Sequence, residues 1–384
     1  MVWKSFYFGG ESSASHGLFI TGEAVYNAPK YDYDFVSIQG RNGDLILDNG
    51  RFENITVTYP CSMRDVSKLA DVRTWLYSQR GYQRLTDDYN QNEYRLACVS
   101  EGLEINPFHN HAADFTITFN CKPQRYLVDG ETPQYFTPIY TDGVEYFTAW
   151  MQIGDTLFES MILNLKDANG TAGNMFTNLK EARWRTLTGT DVVYSRATLA
   201  DYMAMVDGVA DLDLQAAGVG VGITNSYIRF VFTSPPDGYT MVYAADGEAY
   251  NAKRITIATE TTIDNPTAYN AAPLLEYDVE DFFGTASLAL PEITINGVTV
   301  AVSDYNGILY IDTEIQDAYI DNNGVYENGN SYVTLTKDGE YTTEFPVLSA
   351  GETVVNTLYT GTVASIDVNL GAVVIAIYPR YYTI

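Results

Sequence analysis

The sequence predicts a mainly β protein built from more than one domain. Its 384 residues exceed what a single hydrophobic core usually fills. Tyrosine dominates the aromatic residues, with 31 Tyr against 17 Phe and 4 Trp, and with abundant Thr, Val and Ile this composition favours strands over helices. Short apolar runs recur along most of the chain, punctuated by Asn-Gly pairs of the kind that close tight hairpins.

The opening segment, FYFGGESSASHGLFITGEAVYN, holds two apolar runs with turn formers between them, which predicts two short strands and a loop. Next, Asn42-Gly43 and Asn49-Gly50 flank Leu45, Ile46 and Leu47, which predicts a hairpin with a turn at each pair. Ile55, Val57, Tyr59 and Cys61 then alternate with Asn54, Thr56 and Thr58, the period of two of a half-buried strand. From Arg64 to Gln79 the period lengthens. Val66, Leu69, Val72 and Leu76 recur at helical spacing, Ser62 and Asp65 resemble a capping box, and Gly81 supplies a stop, so one amphipathic helix is expected. YRLACVS and DFTITFNCKPQRYL follow as two more strands and close a first domain, residues 1–127.

Residues 128–253 read less cleanly. YFTAWMQI and YIRFVFTS are strand-like, ATLADYMAMV has helical character, and AAGVGVGIT is spaced by glycine, so an inserted domain of β-rich or α+β fold is expected. From Arg254 to Ile384, strand-like runs alternate with turns at Asn296-Gly297, Asn306-Gly307, Asn323-Gly324 and Asn328-Gly329, the spacing of a β-sandwich.

The net charge is -27, distributed as -3 over residues 1–127, -9 over 128–253 and -15 over 254–384. Such a surface repels a polyanion, because nucleic-acid binding needs clustered Lys and Arg to displace condensed counterions. Nucleic acid is thereby excluded as a primary ligand. The start, Met-Val-Trp-Lys-Ser, has no apolar core of a signal peptide and no stretch approaches a membrane span, so neither export by a signal peptide nor a membrane location is expected. Cys61, Cys98 and Cys121 are an odd number without a CxxC pair, which points to buried reduced thiols rather than a disulfide framework or a zinc site.

Motifs for chemistry are few. His109 and His111, two apart, would share a face of a strand, yet a third ligand such as Asp114 stands at no diagnostic spacing, and no metal site is expected. Gly218, Gly220 and Gly222 do not form a GxGxxG turn leading into a helix, so no dinucleotide or other cofactor is expected. DAYIDNNGVYENGN is rich in oxygen donors, but Val325 stands where a calcium loop needs a liganding side chain. Nucleophile and zinc-protease motifs are missing too, and no catalytic residue is assigned; the chain is not expected to be an enzyme. Tyr140, Tyr146, Trp150, Trp184 and Tyr239 supply flat rings that would suit either the insertion's own core or a glycan-binding surface.

Four segments taken together, KSFYFGGESSASHGLFITGEAVYNAP, GRNGDLILDNGRFENITVTYPC, WLYSQRGYQRL and FTITFNCKPQRYL, resemble the N-terminal domain of the distal tail protein family of siphophages, almost continuously over residues 4–127. TIDNPTAYNAAPLLEYDV and LYIDTEIQDAYIDNNGV are similar, more loosely, to the family's C-terminal half, while about 128–253 departs from its usual short connection. The resemblance implies a β-sandwich-like N-terminal ring domain with one helix and a projecting hairpin arm, a galectin-like C-terminal β-sandwich at 254–384, and assembly as a homohexameric ring. The ring would sit at the virion's tail tip after assembly in the host cytoplasm. Its partners would be the tail tube protein, the tail-associated hub protein and receptor-binding proteins, with an adsorption role for the insertion as the alternative. DNA would pass through the ring without binding, and acidic faces lining the bore would favour that by repulsion. Arg41, Asp44, Asp48 and Arg51, which flank the two Asn-Gly pairs with mixed charge, are the expected contacts between copies. Trp150, Trp184 and Tyr239 are the glycan-binding candidates.

Overall fold

Strand dominates the computed structural model of the chain, as the composition predicts. It describes residues 3–23, 26–108, 111–154, 161–166, 178–186, 192–195, 203–206, 209–213, 226–236, 239–245, 253–280, 291–364 and 371–384. The chain divides into two compact units: Met1–Glu131 with Tyr381–Ile384, and Thr132–Arg380.

The first unit contains β1 (Phe6–Phe8), β2 (Glu11–Ser12), β3 (Leu18–Ile20), β4 (Tyr31–Val36), β5 (Leu45–Phe52) and β6 (Ile55–Met63). Helix α1 (Leu69–Ser78) follows, then β7 (Gln83–Asp87), β8 (Glu93–Val99), β9 (Asn106–Phe108), β10 (Ala112–Cys121) and β11 (Arg125–Leu127). The main sheet runs β2-β1-β7-β8-β10-β6-β3, while β4 and β5 form a separate two-stranded sheet. The sequence's period of two fixes the β6–β10 pairing. Ile55, Val57, Tyr59, Cys61 and Met63 point into the core opposite Cys121, Phe119, Ile117, Phe115 and Ala113, and a slip by one residue would turn both sets to solvent.

The expected helix forms with two differences. Asp65, whose carboxylate accepts from Ser67 N, caps a short 3-10 turn at Val66–Lys68 that leads into α1, whereas Ser62 lies within β6 and caps nothing. Beside Val72 and Leu76, α1 buries Trp75, whose Nε1 donates to Phe8 O at 3.2 Å. Trp75, Phe6, Phe8, Tyr59 and Phe119 make one aromatic cluster, with Phe6 stacked on Tyr59 at 5.2 Å and Phe8 tilted against Phe119 at 5.0 Å. These rings supply much of the unit's apolar burial, which is the main favourable term in folding it.

The chain's last strand, Tyr382–Thr383, pairs with β11, so the second unit is inserted between two parts of the first in sequence. In the second unit, eleven described strands share one sheet in the order Met203–Val206, Val209–Asp213, Met161–Lys166, Tyr239–Ala245, Lys253–Ile257, Gln134–Phe136, Ala372–Tyr378, Leu274–Glu280, Gly307–Asp312, Asp317–Asn322 and Val325–Asn328. Strands from either side of residue 253 therefore lie in one sheet. Two six-stranded sheets complete the unit. One is ordered Ile139–Thr141, Tyr146–Thr148, Ser226–Phe232, Leu179–Thr186 and Val192–Ser195, with Met151–Gly154 beside it. The other runs Glu260–Asn265, Gly351–Asn356, Glu292–Ile295, Val298–Val302, Val333–Lys337 and Glu340–Tyr341.

Turn chemistry holds at Asn296-Gly297 and Asn323-Gly324, where both residues of a two-residue loop take positive φ, as the twist of tight hairpins requires. The helix expected at ATLADYMAMV is corrected over its described part. Met203–Val206 is a strand paired with Val209–Asp213, and cross-strand pairing outweighs the helical propensity of Met and Ala there. The glycine-spaced run AAGVGVGIT lies outside the described residues.

Candidate functional site: the exposed hairpin arm

The hairpin of β4 and β5 is the unusual surface of the first unit. Its strands follow from alternation: Tyr31, Tyr33 and Phe35 fall on one face of β4 and Asp32, Asp34 and Val36 on the other. Tyr31 stacks on Tyr33 at 5.2 Å and lies 4.3 Å from Phe52, while Phe35 pairs with Ile46 across the strands. On the other face, Val36 opposes Leu45 and Asp34 opposes Leu47. Both faces thus carry apolar groups, and most stay in water: Phe35 is 63%, Ile46 55% and Leu47 47% exposed. A two-stranded sheet with no third strand has no core of its own, so an apolar hairpin of this kind is built to be covered.

Asn49-Gly50 is not a turn, which corrects the sequence expectation. Both residues lie inside β5, where the register slips between Tyr31 and Tyr33. Gly50 supplies the left-handed conformation that the bulge needs, at φ 70°, and its N–H donates to Asp48 Oδ1 at 2.8 Å. The hairpin reverses through residues 37–44, with Gly40 and Gly43 also left-handed and Arg41 N donating to Ile38 O at 3.1 Å.

Of the four expected contact residues, Arg41 and Asp44 lie in this exposed tip and Asp48 and Arg51 on β5. Arg51 is engaged within the arm. Its Nε donates to Asp32 Oδ2 at 2.6 Å, and Asn49 Nδ2 donates to Asp32 Oδ1 at 3.2 Å. Hydrogen bonding from Arg51, then from Asn49, holds the Asp32 carboxyl below its ordinary range.

The arm's root is clamped. Glu53 N donates to Lys30 O at 2.8 Å, and Asn27 Nδ2 to Thr56 O at 2.7 Å. The carbonyl of Asn27 accepts from Arg95 Nη2 at 3.3 Å and Arg125 Nη2 at 3.4 Å. Burial, with the neighbouring Arg125 charge adding to it, lowers the Arg95 guanidinium to about 10. That desolvated cation ties β8 to the segment entering the arm.

The remaining candidates divide. Trp150 is fully buried, with the guanidinium of Arg229 4.7 Å and that of Arg185 5.3 Å from its ring centre, so it offers no face to a sugar here. Tyr140 is buried as well, while Tyr146 and Trp184 are half-buried. The side chain of Tyr239 is outside the described residues; its backbone opens the strand Tyr239–Ala245. Cys61 and Cys121 are buried, Cys98 is half-buried, and all three are free thiols. His109 lies outside the described residues, while His111 and Asp114 are exposed. No group of three metal-ligating side chains occurs among the described residues. Nor is any described helix long and apolar enough to cross a membrane.

Sequence reasoning located the arm but missed its apolar faces. YDYDFV carries the signal, since aromatics at every second position normally mark a buried face, and only the structure leaves that face uncovered.

Residues 14–121 match the family model described as the phage tail protein RIFT-related domain. None of the curated proteins matches the chain. Among solved structures, the chain is similar to the crystal structure of the Dit protein (gp 19.1) of phage SPP1, described as a paradigm of the hub adsorption apparatus in Gram-positive-infecting phages. That match has 11% identity and a TM-score of 0.27, covering 60% of this chain and 98% of the other. The matched span runs from the turn before β3 to the end of β10 and includes the whole arm. By the family model, residues 14–121 carry a phage tail RIFT-related domain, within the span whose sequence resembles the distal tail protein family.

Proposed function

We propose that this chain is a distal tail protein: six copies close into a ring at the tail tip that joins the tail tube protein to the tail-associated hub protein and, through it, to receptor-binding proteins. The observation that carries this reading is the hairpin arm, which extends from a phage tail domain with apolar residues on both faces. Burying a large apolar side chain contributes about 1.5–3 kcal/mol. The exposed set on β4 and β5 is therefore sufficient to offset much of the roughly 4–15 kcal/mol that association costs in lost freedom. Contact of the arm with a different surface of the next copy is heterologous, and a heterologous contact forms a ring when its rotation closes.

In this reading the first unit forms the ring. The second unit, whose eleven-stranded sheet draws strands from both 128–253 and 254–384, carries the galectin-like sandwich, with the insertion built onto it. The protein works as a structural component of the virion tail.

Light scattering and negative-stain imaging of the purified protein test it. A ring-shaped hexamer is expected, and the double variant Phe35→Asp, Ile46→Asp is expected to dissociate into folded monomers. A wild-type protein that stays strictly monomeric at high concentration overturns the reading.

A further inference from the structure

A second hairpin, in the second unit, leaves a strand edge open. Val325–Asn328 ends the eleven-stranded sheet and pairs only with Asp317–Asn322 among the described residues. Gly307–Asp312, the next strand in, reaches along this hairpin as far as Tyr319, so the hairpin's end is two-stranded. Asn323 and Gly324 close it with φ of 53° and 84°, and Asp321 Oδ1 accepts from Gly324 N at 2.7 Å, which stiffens the turn. Asn322 and Val325 flank a two-residue turn and so form a hydrogen-bonded pair, after which paired and outward-facing residues alternate. The N–H and C=O of Tyr326 and Asn328 therefore face away from Asp317–Asn322. Gly329, next in the alternation, donates inward from its N to Ala318 O at 2.8 Å.

Large apolar groups lie along this edge in water, with Val325 63% and Tyr326 69% exposed. Tyr326 rests edge-on against Tyr319 at 5.1 Å and Tyr319 stacks on Tyr310 at 5.4 Å, so a ring is fixed at the edge before anything binds. Charge there has one sign. No Lys or Arg occurs between Arg254 and Lys337, whereas Asp317, Asp321 and Glu327 lie on the hairpin itself. Arg380 is engaged by Asp312 and Glu314, and Lys337 by Glu344. We propose that this edge accepts an extended basic segment of another protein as an added strand. On an antiparallel added strand the residue opposite Glu327 falls in a non-hydrogen-bonded pair, where side chains approach most closely, so lysine or arginine there meets the carboxylate. Its neighbours in sequence fall on the other face beside Tyr326, where apolar residues fit. An alternating basic and apolar strand is the partner this edge selects. A second copy fits poorly, because two such edges paired about a twofold axis set Glu327 directly opposite Glu327, and like charges in that position destabilise a sheet.

Fluorescence anisotropy of the full chain with a labelled, capped heptapeptide of alternating valine and lysine tests the assignment. Saturable binding is expected, with slowed hydrogen exchange at the Tyr326 and Asn328 amides, and the twin peptide with glutamate for lysine should not bind. Tyr326→Pro deletes one outward N–H at an edge position that tolerates proline and should weaken binding about tenfold, while Tyr326→Val, which keeps that N–H, should still bind. Glu327→Lys should reverse the order of the two peptides.

Absence of saturable binding by the lysine peptide overturns the proposal. Binding that Tyr326→Pro and Glu327→Lys both leave unchanged is adsorption to an acidic surface and overturns it as well. If Tyr326→Pro instead alters the size of the protein alone by light scattering, the edge pairs copies of this chain and the basic partner falls.

Discussion

Arg51 and Asp32 meet across the arm at 2.6 Å, at the one place where the register of β4 and β5 slips. The bulge sets Asn49 and Arg51 so that both reach the same carboxylate, and Asp48 accepts from Gly50 N within it. This pair keeps the bulge closed although the side chain of Arg51 is largely in water. Arg51→Ala should let the Asp32 carboxyl titrate upward toward its ordinary value of 3.8. Because the folded carboxyl is held below that value, its stabilising contribution is present above the unfolded pKa and is lost as pH falls through the folded one. Carboxyl carbon shifts followed by NMR on acidification check this: an Asp32 midpoint that Arg51→Ala leaves unmoved removes the pair's role.

Phe119 is fully buried with Phe6, Phe8 and Tyr59 around it. Phe119→Ala should destabilise the first unit by about 3–5 kcal/mol, since the rings that surround it cannot collapse into the space. Urea unfolding followed by tryptophan fluorescence reads the change, and a loss under ~1 kcal/mol would mean the cluster is not the unit's core.

Burial pushes the Cys61 and Cys121 thiols up to about 12. The thiolate is the reactive form, so neither should react with a disulfide reagent at pH 8 in the folded protein. All three cysteines should react in guanidinium. Rapid native labelling mapped to Cys61 or Cys121 by mass spectrometry would contradict the packing of β6 against β10.

Tyr382 lies 6.2 Å from Tyr126, and Leu127 N donates to Tyr381 O at 2.8 Å, so the returning strand covers β11. Tyr382→Ala should cost about 1 kcal/mol, the scale of one aromatic pair, and speed hydrogen exchange at the Leu127 amide. Unchanged exchange there would show that the return strand adds nothing to the first unit.

Gly50 stands at φ 70° with open space around the position of a Cβ. Gly50→Val should therefore strain the backbone without a steric clash and disturb the arm alone. Weakened ring assembly with an unchanged unfolding midpoint is the expected pair of readings.

Local rules written in adjacent residues determined a good part of this protein. The alternation from Ile55 to Cys61 set which side of β6 is buried, the spacing of Val72 and Leu76 set the inner face of α1, and Asn296-Gly297 and Asn323-Gly324 set two hairpins, because each depends on backbone geometry within a few positions. Tertiary structure decided what depends on distant partners. Asn49-Gly50 reads as a turn until β4 pairs alongside it and makes it a bulge. Trp150 is as aromatic as any sugar-binding ring, yet the guanidinium of Arg229, dozens of residues later in the chain, lies over it in the core. Tyr31, Tyr33 and Phe35 carry the alternation of a buried strand, yet Tyr31 and Phe35 remain in water, because burial is a property of what packs above a face and not of the residues on it.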